Sequence, residues 1–178
     1  MAFSPPLPSE LPSGAELLAR ERQVRHGGTG LNAADLHGSW QLDQVWPKGS
    51  SRASAFSGLL LRGLGARLEI GDANGALQLC NAVTLGALEL RFHGPGQLVG
   101  SRPRLEFWFE RFELRLANRL LLQRSLPSPP PRRLPFFALI DRDPSGWLAA
   151  RGRGGGLALW RLQTPGPVPT ALDGSDQV

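Results

Sequence analysis

From Leu36 onward, the apolar residues of this chain recur at every second position, and Gly, Asn, Asp and Pro separate the runs. Successive side chains of a strand point to opposite faces, so a period of two is typical of strands that bury one face. Within residues 40–46, for example, Trp40, Leu42 and Trp46 share one face. The pattern predicts strands over residues 40–46, 56–61, 66–70, 76–83, 87–92, 105–112, 114–124, 136–140, 146–150 and 157–162.

The segments between these runs predict tight turns. Residues 71–75 and 94–96 are rich in Gly, Asn and Pro, which suit the backbone angles of short connections. Strands joined in this way pair as antiparallel neighbours, and closing the sheet removes its exposed edges. We therefore expect a mostly β fold, an antiparallel closed barrel. Residues 114–124 leave one alternative open, because their Leu and Ala content also suits a turn of helix.

A short helix is expected ahead of the strands. Ser13 and Glu16 form an S-x-x-E capping-box pattern, in which both side chains accept from free backbone N–H groups of the first turn. The helix should run over residues 15–24, with its leucines packed down and Glu21 exposed. Two glycines, residues 27–28, should end it.

The ends of the chain differ from its middle. Residues 1–12 and 164–178 are rich in Pro and small polar residues and predict disordered tails on either side of one domain, residues 13–163. The N-terminus has no basic start followed by an apolar stretch, so we expect no secretory signal. The apolar runs are far shorter than the roughly 20 residues of a spanning helix. A cytoplasmic location is the resulting expectation.

Few residues of the chain are suited to catalysis or to metal binding. Cys80 is the single cysteine, which excludes an internal disulfide, and its apolar surroundings predict a buried strand residue. The three histidines show no spacing typical of a catalytic triad or a metal site. Glu106 and Glu110 alternate with Phe107 and Phe109, which indicates a solvent-facing pair rather than acid–base groups. We therefore expect a non-enzymatic protein without a cofactor or a metal.

The positive charge leaves an anionic partner open. The net charge is +5 and the sequence pI is about 11.1, and nearly all basic residues are scattered arginines. Such a balance suits nucleic acid or an anionic membrane surface. The cluster in residues 151–156 resembles an RGG segment, but a strand-like run follows it, which favours a glycine hairpin between the last two strands.

The large apolar side chains point instead to an apolar guest. A barrel of about eight strands can enclose one small ligand, and inward side chains would decide what enters. Trp46, Phe92, Phe107 and Phe109 are our candidates for such an interior site. Tyrosine is absent, so the interior would offer few hydroxyl groups to a polar guest. The alternative is a barrel that the side chains fill completely.

Two motifs carry a resemblance to a known family. Residues 36–42 read L-x-G-x-W-x-L, and residues 146–157 read G-W-L followed by R-G-x-x-G-x-L. In this order and separation they resemble the opening and closing strands of the plastid lipid-associated proteins, or fibrillins, here of a cyanobacterial type. Only Ala149 and Ala150 stand between the G-W-L and R-G pieces, where the family has a longer stretch.

The resemblance implies a lipocalin-like (calycin-type) barrel in a photosynthetic cell. It implies a peripheral location at thylakoids or lipid globules, a bound lipid, quinone or pigment, and no catalytic residues. In related barrels the Trp of G-x-W closes one end, and an Arg from the last strands covers it. On this basis Gly38, Trp40 and Arg151 would close the barrel.

Two other functions compete with binding of an apolar molecule. A bilin-chromophore lyase on a similar barrel would need an acidic or basic group placed toward a linear tetrapyrrole. A basic nucleic-acid-binding β domain would need its aromatic residues on the surface, where bases could stack on them. The aromatic residues here occupy core-type positions, so we do not expect nucleic acid to be the partner.

Overall fold

A computed structural model describes residues 11–50, 65–130 and 134–163. It contains a helix, α1 (Gly14–Gly27), and a 3-10 turn (Ala34–Leu36). Ten strands follow: β1 (Gly38–Trp46), β2 (Arg67–Ala73), β3 (Ala76–Leu85), β4 (Leu88–Val99), β5 (Arg104–Phe107), β6 (Arg111–Leu116), β7 (Arg119–Ser125), β8 (Phe136–Asp143), β9 (Trp147–Gly152) and β10 (Leu157–Leu162). The predicted strand 56–61 lies outside the described residues.

Eight of these strands close into an antiparallel barrel. The ring runs β1-β2-β3-β4-β5-β8-β9-β10 and returns to β1. The β6–β7 hairpin lies outside this ring and extends the sheet from the first half of β4. The predicted fold class, a mostly β closed barrel with a short N-terminal helix, is confirmed.

Helix α1 begins as the sequence predicts. The Ser13 side chain accepts from the backbone N–H of Glu16, and the Glu16 carboxylate accepts from the backbone N–H of Ser13 at 2.7 Å. This exchange satisfies N–H groups that have no partner within the helix. Glu21, however, is buried rather than exposed, because α1 lies against the outside of the barrel.

Two apolar clusters hold the fold together. The inner cluster lies inside the barrel, and its members include Trp40, Leu68, Leu79, Leu105 and Trp160. The outer cluster lies between α1 and the outer faces of β8, β9 and β10, and consists of Leu17, Trp46, Ile140, Trp147, Ala149, Leu157 and Leu159. Burying apolar surface on both sides of these strands explains why β9 has almost no polar side.

A bulge in β1 overturns one part of the predicted face pattern. The pairing of β1 with β10 shifts between Leu42 and Gln44. A bulge inserts an extra residue, so side chains beyond it change faces. Trp40 and Leu42 contact the inner cluster, whereas Trp46 packs in the outer one. The prediction that Trp46 lines the interior is therefore wrong.

The predicted turn at residues 94–96 is also wrong, because this segment continues β4. Gly94 lies so close to the backbone of Trp108 that no Cβ would fit. The Pro95 carbonyl accepts a hydrogen bond from the Trp108 N–H. The Pro95 nitrogen, which carries no hydrogen, lies on the same side of β4 and faces the gap between β5 and β6, where no strand needs a donor. Gly and Pro are tolerated here because β4 changes partners, from β6 to β5, at this point.

The chain from residue 105 to 124 forms shorter strands than predicted. The run 105–112 is divided into β5 and β6, and the run 114–124 is a hairpin. Ala117 and Asn118 both have positive φ, 46° and 68°, as a two-residue hairpin turn requires. Residues 114–124 therefore do not form the alternative turn of helix.

Candidate functional site

Trp40 lies at the end of the barrel where β1 begins, the position expected of a residue that closes it. This side chain is fully buried, and its Nε1–H donates to the Leu36 carbonyl at 2.7 Å. Leu31, Ala33 and Leu36, from the segment that precedes β1, pack against the inner cluster. Gly38 has φ +141°, and a Cβ there would collide with Leu162. The glycine and tryptophan of the opening motif thus lie together at this end.

Arg151 does not cover Trp40, so this part of the expectation is wrong. Arg151 lies on the outer face of β9, where its Nε and Nη2 both donate to the Glu21 carboxylate at 2.6 Å. The guanidinium over Trp40 belongs to Arg142 of β8, 5.9 Å from the ring centroid. A pairing shift in β8, between Leu139 and Asp141, brings Arg142 to the inner face.

The bidentate pair on the outer face attaches α1 to the barrel. The hydrogen bonds from Arg151 hold the pKa of Glu21 below its usual value. The preceding residue, Arg20, pairs with Asp141 and lies over Trp147 at 5.2 Å. Arg151 therefore stabilises the position of the helix on the outside of the barrel and does not reach Trp40.

A row of aromatic rings runs through the inner face of the barrel. Neighbouring ring centroids are 5.2 to 6.2 Å apart, within the range of favourable aromatic contacts. We call this the aromatic row, and it consists of Trp160, Phe137, Phe107, Phe109, Phe92 and Phe112 in spatial order. It unites three of the four predicted interior residues, Phe92, Phe107 and Phe109.

Beyond Phe92 and Phe112 the same apolar face continues along β4 and β6. Phe92 is paired with Phe112, Leu90 with Leu114, and Leu88 with Leu116. Since alternate residues of a strand share a face, these pairs continue the aromatic row away from the barrel interior. The inner face of the sheet is thus apolar from Trp160 to the β6–β7 hairpin.

This apolar face ends at two adjacent turns. The Ala117 N–H of the β6–β7 turn donates to the Ala87 carbonyl of the β3–β4 turn at 2.8 Å. Six leucines around these turns are 38 to 62% exposed, and we call them the leucine tip: Leu85, Leu88, Leu116, Leu120, Leu121 and Leu122. Neighbouring strands alternate in direction, so the leucine tip lies at the opposite end from the start of β1.

The leucine tip is the feature that sequence reasoning missed. The alternation of residues 114–124 predicts one strand, with a turn of helix as the alternative, and neither prediction identifies an exposed group of leucines. One signal was available. In Leu120-Leu121-Leu122 the apolar–polar alternation is lost, so a strand there must present leucine on both faces.

The outer face of β2, β3, β4 and β6 is polar. Arg67 pairs with Glu69 and Glu89, and Arg91 pairs with Glu69. Further along, the Glu113 carboxylate lies 3.6 Å from His93 and 3.3 Å from Arg111. These ion pairs lie on the solvated face of the strands, whereas the opposite face of the same strands is apolar.

Cys80 and His93 approach each other on this outer face but are poorly suited to catalysis. The Cys80 sulfur is 3.9 Å from His93 Nε2, and Cys80 is buried, as predicted. Burial raises the pKa of the Cys80 thiol and lowers the pKa of His93. Both shifts favour the neutral thiol and imidazole, whereas a nucleophilic cysteine needs its thiolate.

Within residues 11–50, 65–130 and 134–163, no group of three His, Cys, Asp or Glu side chains is placed to hold a metal ion. In the same part of the chain, no helix is long and apolar enough to span a membrane. No family model matches the chain, and no curated protein matches it either.

Proposed function

We propose that this chain is a non-enzymatic binding protein for an apolar molecule, such as a lipid, a quinone or a pigment. The aromatic row is the observation that carries the proposal. It supplies a continuous apolar lining from the barrel interior to an exposed end, which suits an elongated apolar guest. A peripheral location at thylakoids or lipid globules, as in the family that the motifs resemble, is part of the same proposal.

The arrangement of charges supports this proposal over nucleic-acid binding. Arg67, Arg91 and Arg151 lie within 3 Å of glutamate oxygens. Paired in this way, these guanidiniums offer less to a phosphate backbone than the net charge suggests. Within the aromatic row, Phe107 and Trp160 are buried, so bases could not stack on these two rings.

The test is to purify the protein from its own cell, extract it with organic solvent and identify what it carries by native mass spectrometry. We expect a lipid, quinone or carotenoid at a defined stoichiometry. A covalently or tightly held bilin would instead favour the lyase hypothesis. Protein that is empty, and that takes up none of these molecules when they are added, would overturn the proposal.

Two neighbouring residues provide a matched pair of variants. Phe109 belongs to the aromatic row, whereas the Trp108 indole N–H donates to Glu110 at 3.0 Å, on the other face. Loss of one aromatic contact of about 1 kcal/mol corresponds to roughly fivefold weaker binding, so Phe109→Ala should reduce occupancy by about that factor. Trp108→Ala should leave occupancy unchanged, and equal losses in both variants would contradict an interior site.

A further inference from the structure

We infer that the leucine tip docks this protein on an anionic lipid surface. The inference rests on the peripheral location in the proposed function and deepens it, because it names the surface of the protein and the lipid charge that would make the contact. The hydrogen bond between Ala117 and Ala87 holds the two turns side by side, so the six exposed leucines surround one end of the sheet, on both of its faces. A contiguous apolar group of this kind on a folded surface marks an interaction site.

Strand β7 makes this surface unusual. All seven of its residues are exposed, and it pairs with β6 on one side only. Edge strands are normally protected by charges, prolines or bulges, because unpaired backbone groups and apolar side chains invite association. Strand β7 has a bulge at Leu121 and two arginines, but Leu120, Leu121 and Leu122 stay exposed beside them, which indicates that something apolar covers them in use.

The charges around the leucines indicate what kind of surface covers them. The hairpin from residue 111 to 125 contains four arginines and a single glutamate. Among the described residues, Arg119 and Arg124 flank the three leucines, are exposed and form no ion pair. Leucines that enter a bilayer boundary, with arginines at the level of the phosphates, are the combination found in interfacial anchors.

The same charges disfavour a second copy of this chain as the occupant. If two β7 strands paired antiparallel about Leu121 and Leu122, Arg119 of each would lie opposite Arg124 of the other. Like charges placed directly opposite each other destabilise a strand pair, and this register would contain two such pairs. An anionic surface, in contrast, attracts all of these arginines.

The test is sedimentation of the full chain with vesicles of phosphatidylcholine, alone or with phosphatidylglycerol added. We expect binding to the anionic vesicles that weakens as salt rises. Arg119→Gln with Arg124→Gln should weaken it about 25-fold, at about fivefold for each arginine near the surface. Leu120→Ser, Leu121→Ser and Leu122→Ser together should reduce binding to the background level.

Matched controls separate docking from misfolding and from general charge. Arg22→Gln with Arg102→Gln removes two exposed arginines from outside the hairpin and should leave vesicle binding unchanged. All variants should keep the wild-type unfolding curve, since the substituted side chains are exposed. Extraction of the triple serine variant shows separately whether the barrel still carries its ligand, so this test and that of the proposed function can fail independently.

Two outcomes would overturn the inference. One is a wild-type protein that ignores anionic vesicles at low salt. The other is a dimer in sedimentation velocity that the triple serine variant converts to a monomer, without any vesicle binding by the wild type. That result would assign the leucine tip to a second copy of the chain.

Discussion

The two ends of the barrel use large apolar side chains in opposite ways. Where β1 begins, Trp40 is completely buried, and its single polar hydrogen is donated to the Leu36 carbonyl. Around the opposite turns, Leu120 and Leu121 are about half exposed, at 49% and 56%. Burial of the first kind stabilises the fold, whereas exposed leucine adds nothing to stability until a partner covers it.

The largest effect that distinguishes the two ends is expected at Trp40. Trp40→Ala should lower the free energy of unfolding by about 3 to 5 kcal/mol, because a large buried aromatic leaves a cavity. Chemical denaturation measures the change. Trp40→Phe, which keeps a ring but removes the Nε1–H donor, should cost less. Wild-type stability in the alanine variant would show that Trp40 does not close the barrel.

A smaller effect is expected where α1 joins the barrel. The Glu21 carboxylate is only 12% exposed, so Glu21→Gln should cost about 1.5 to 3 kcal/mol, as for other hydrogen bonds to charged groups. In the folded protein the pKa of Glu21 lies below its ordinary value of 4.5, chiefly because Arg151 donates hydrogen bonds to the carboxylate. Its stabilisation is therefore fully present above about pH 4.5 and is lost as pH falls through the lower, folded-state pKa.

Denaturation of wild type and Glu21→Gln over a range of pH checks both points. The difference between the two proteins should shrink as the solution is acidified below pH 4.5. Glu110→Gln, an exposed carboxylate on the β5–β6 connection, is the control and should change little. A difference that stays constant down to strong acid would assign the loss to packing rather than to the ion pair.

The smallest effect is expected at the leucine tip. Leu121→Ala should change the free energy of unfolding by less than about 0.5 kcal/mol, since its side chain is already exposed. Leu148→Ala, the same substitution inside the barrel, should cost about 2 to 5 kcal/mol. If both variants lowered the free energy of unfolding equally, the leucine tip would be part of the folded core. The two ends of the barrel would then not differ in how they use large apolar side chains.

Much of the fold was predictable because it depends on local chemistry. The period of two predicted the strands, the Ser13–Glu16 capping box predicted the start of α1, and the run 157–162 matches β10. The candidate site was predictable only in part. Phe107 and Phe109 share the inner face of adjoining segments, but sequence alone did not show that they join Trp160 and Phe112 in one row.

The sequence by itself determined the fold class, since alternation, turn residues and the capping box act over a few neighbouring positions. Only the tertiary structure decided which way particular side chains point. One extra residue in a strand reverses every side chain that follows, and bulges in β1 and β8 placed Trp46 outside the barrel and Arg142 over Trp40. Strand pairing decided the rest, because the leucines of β6 and β7 are exposed only where the hairpin extends beyond the closed ring.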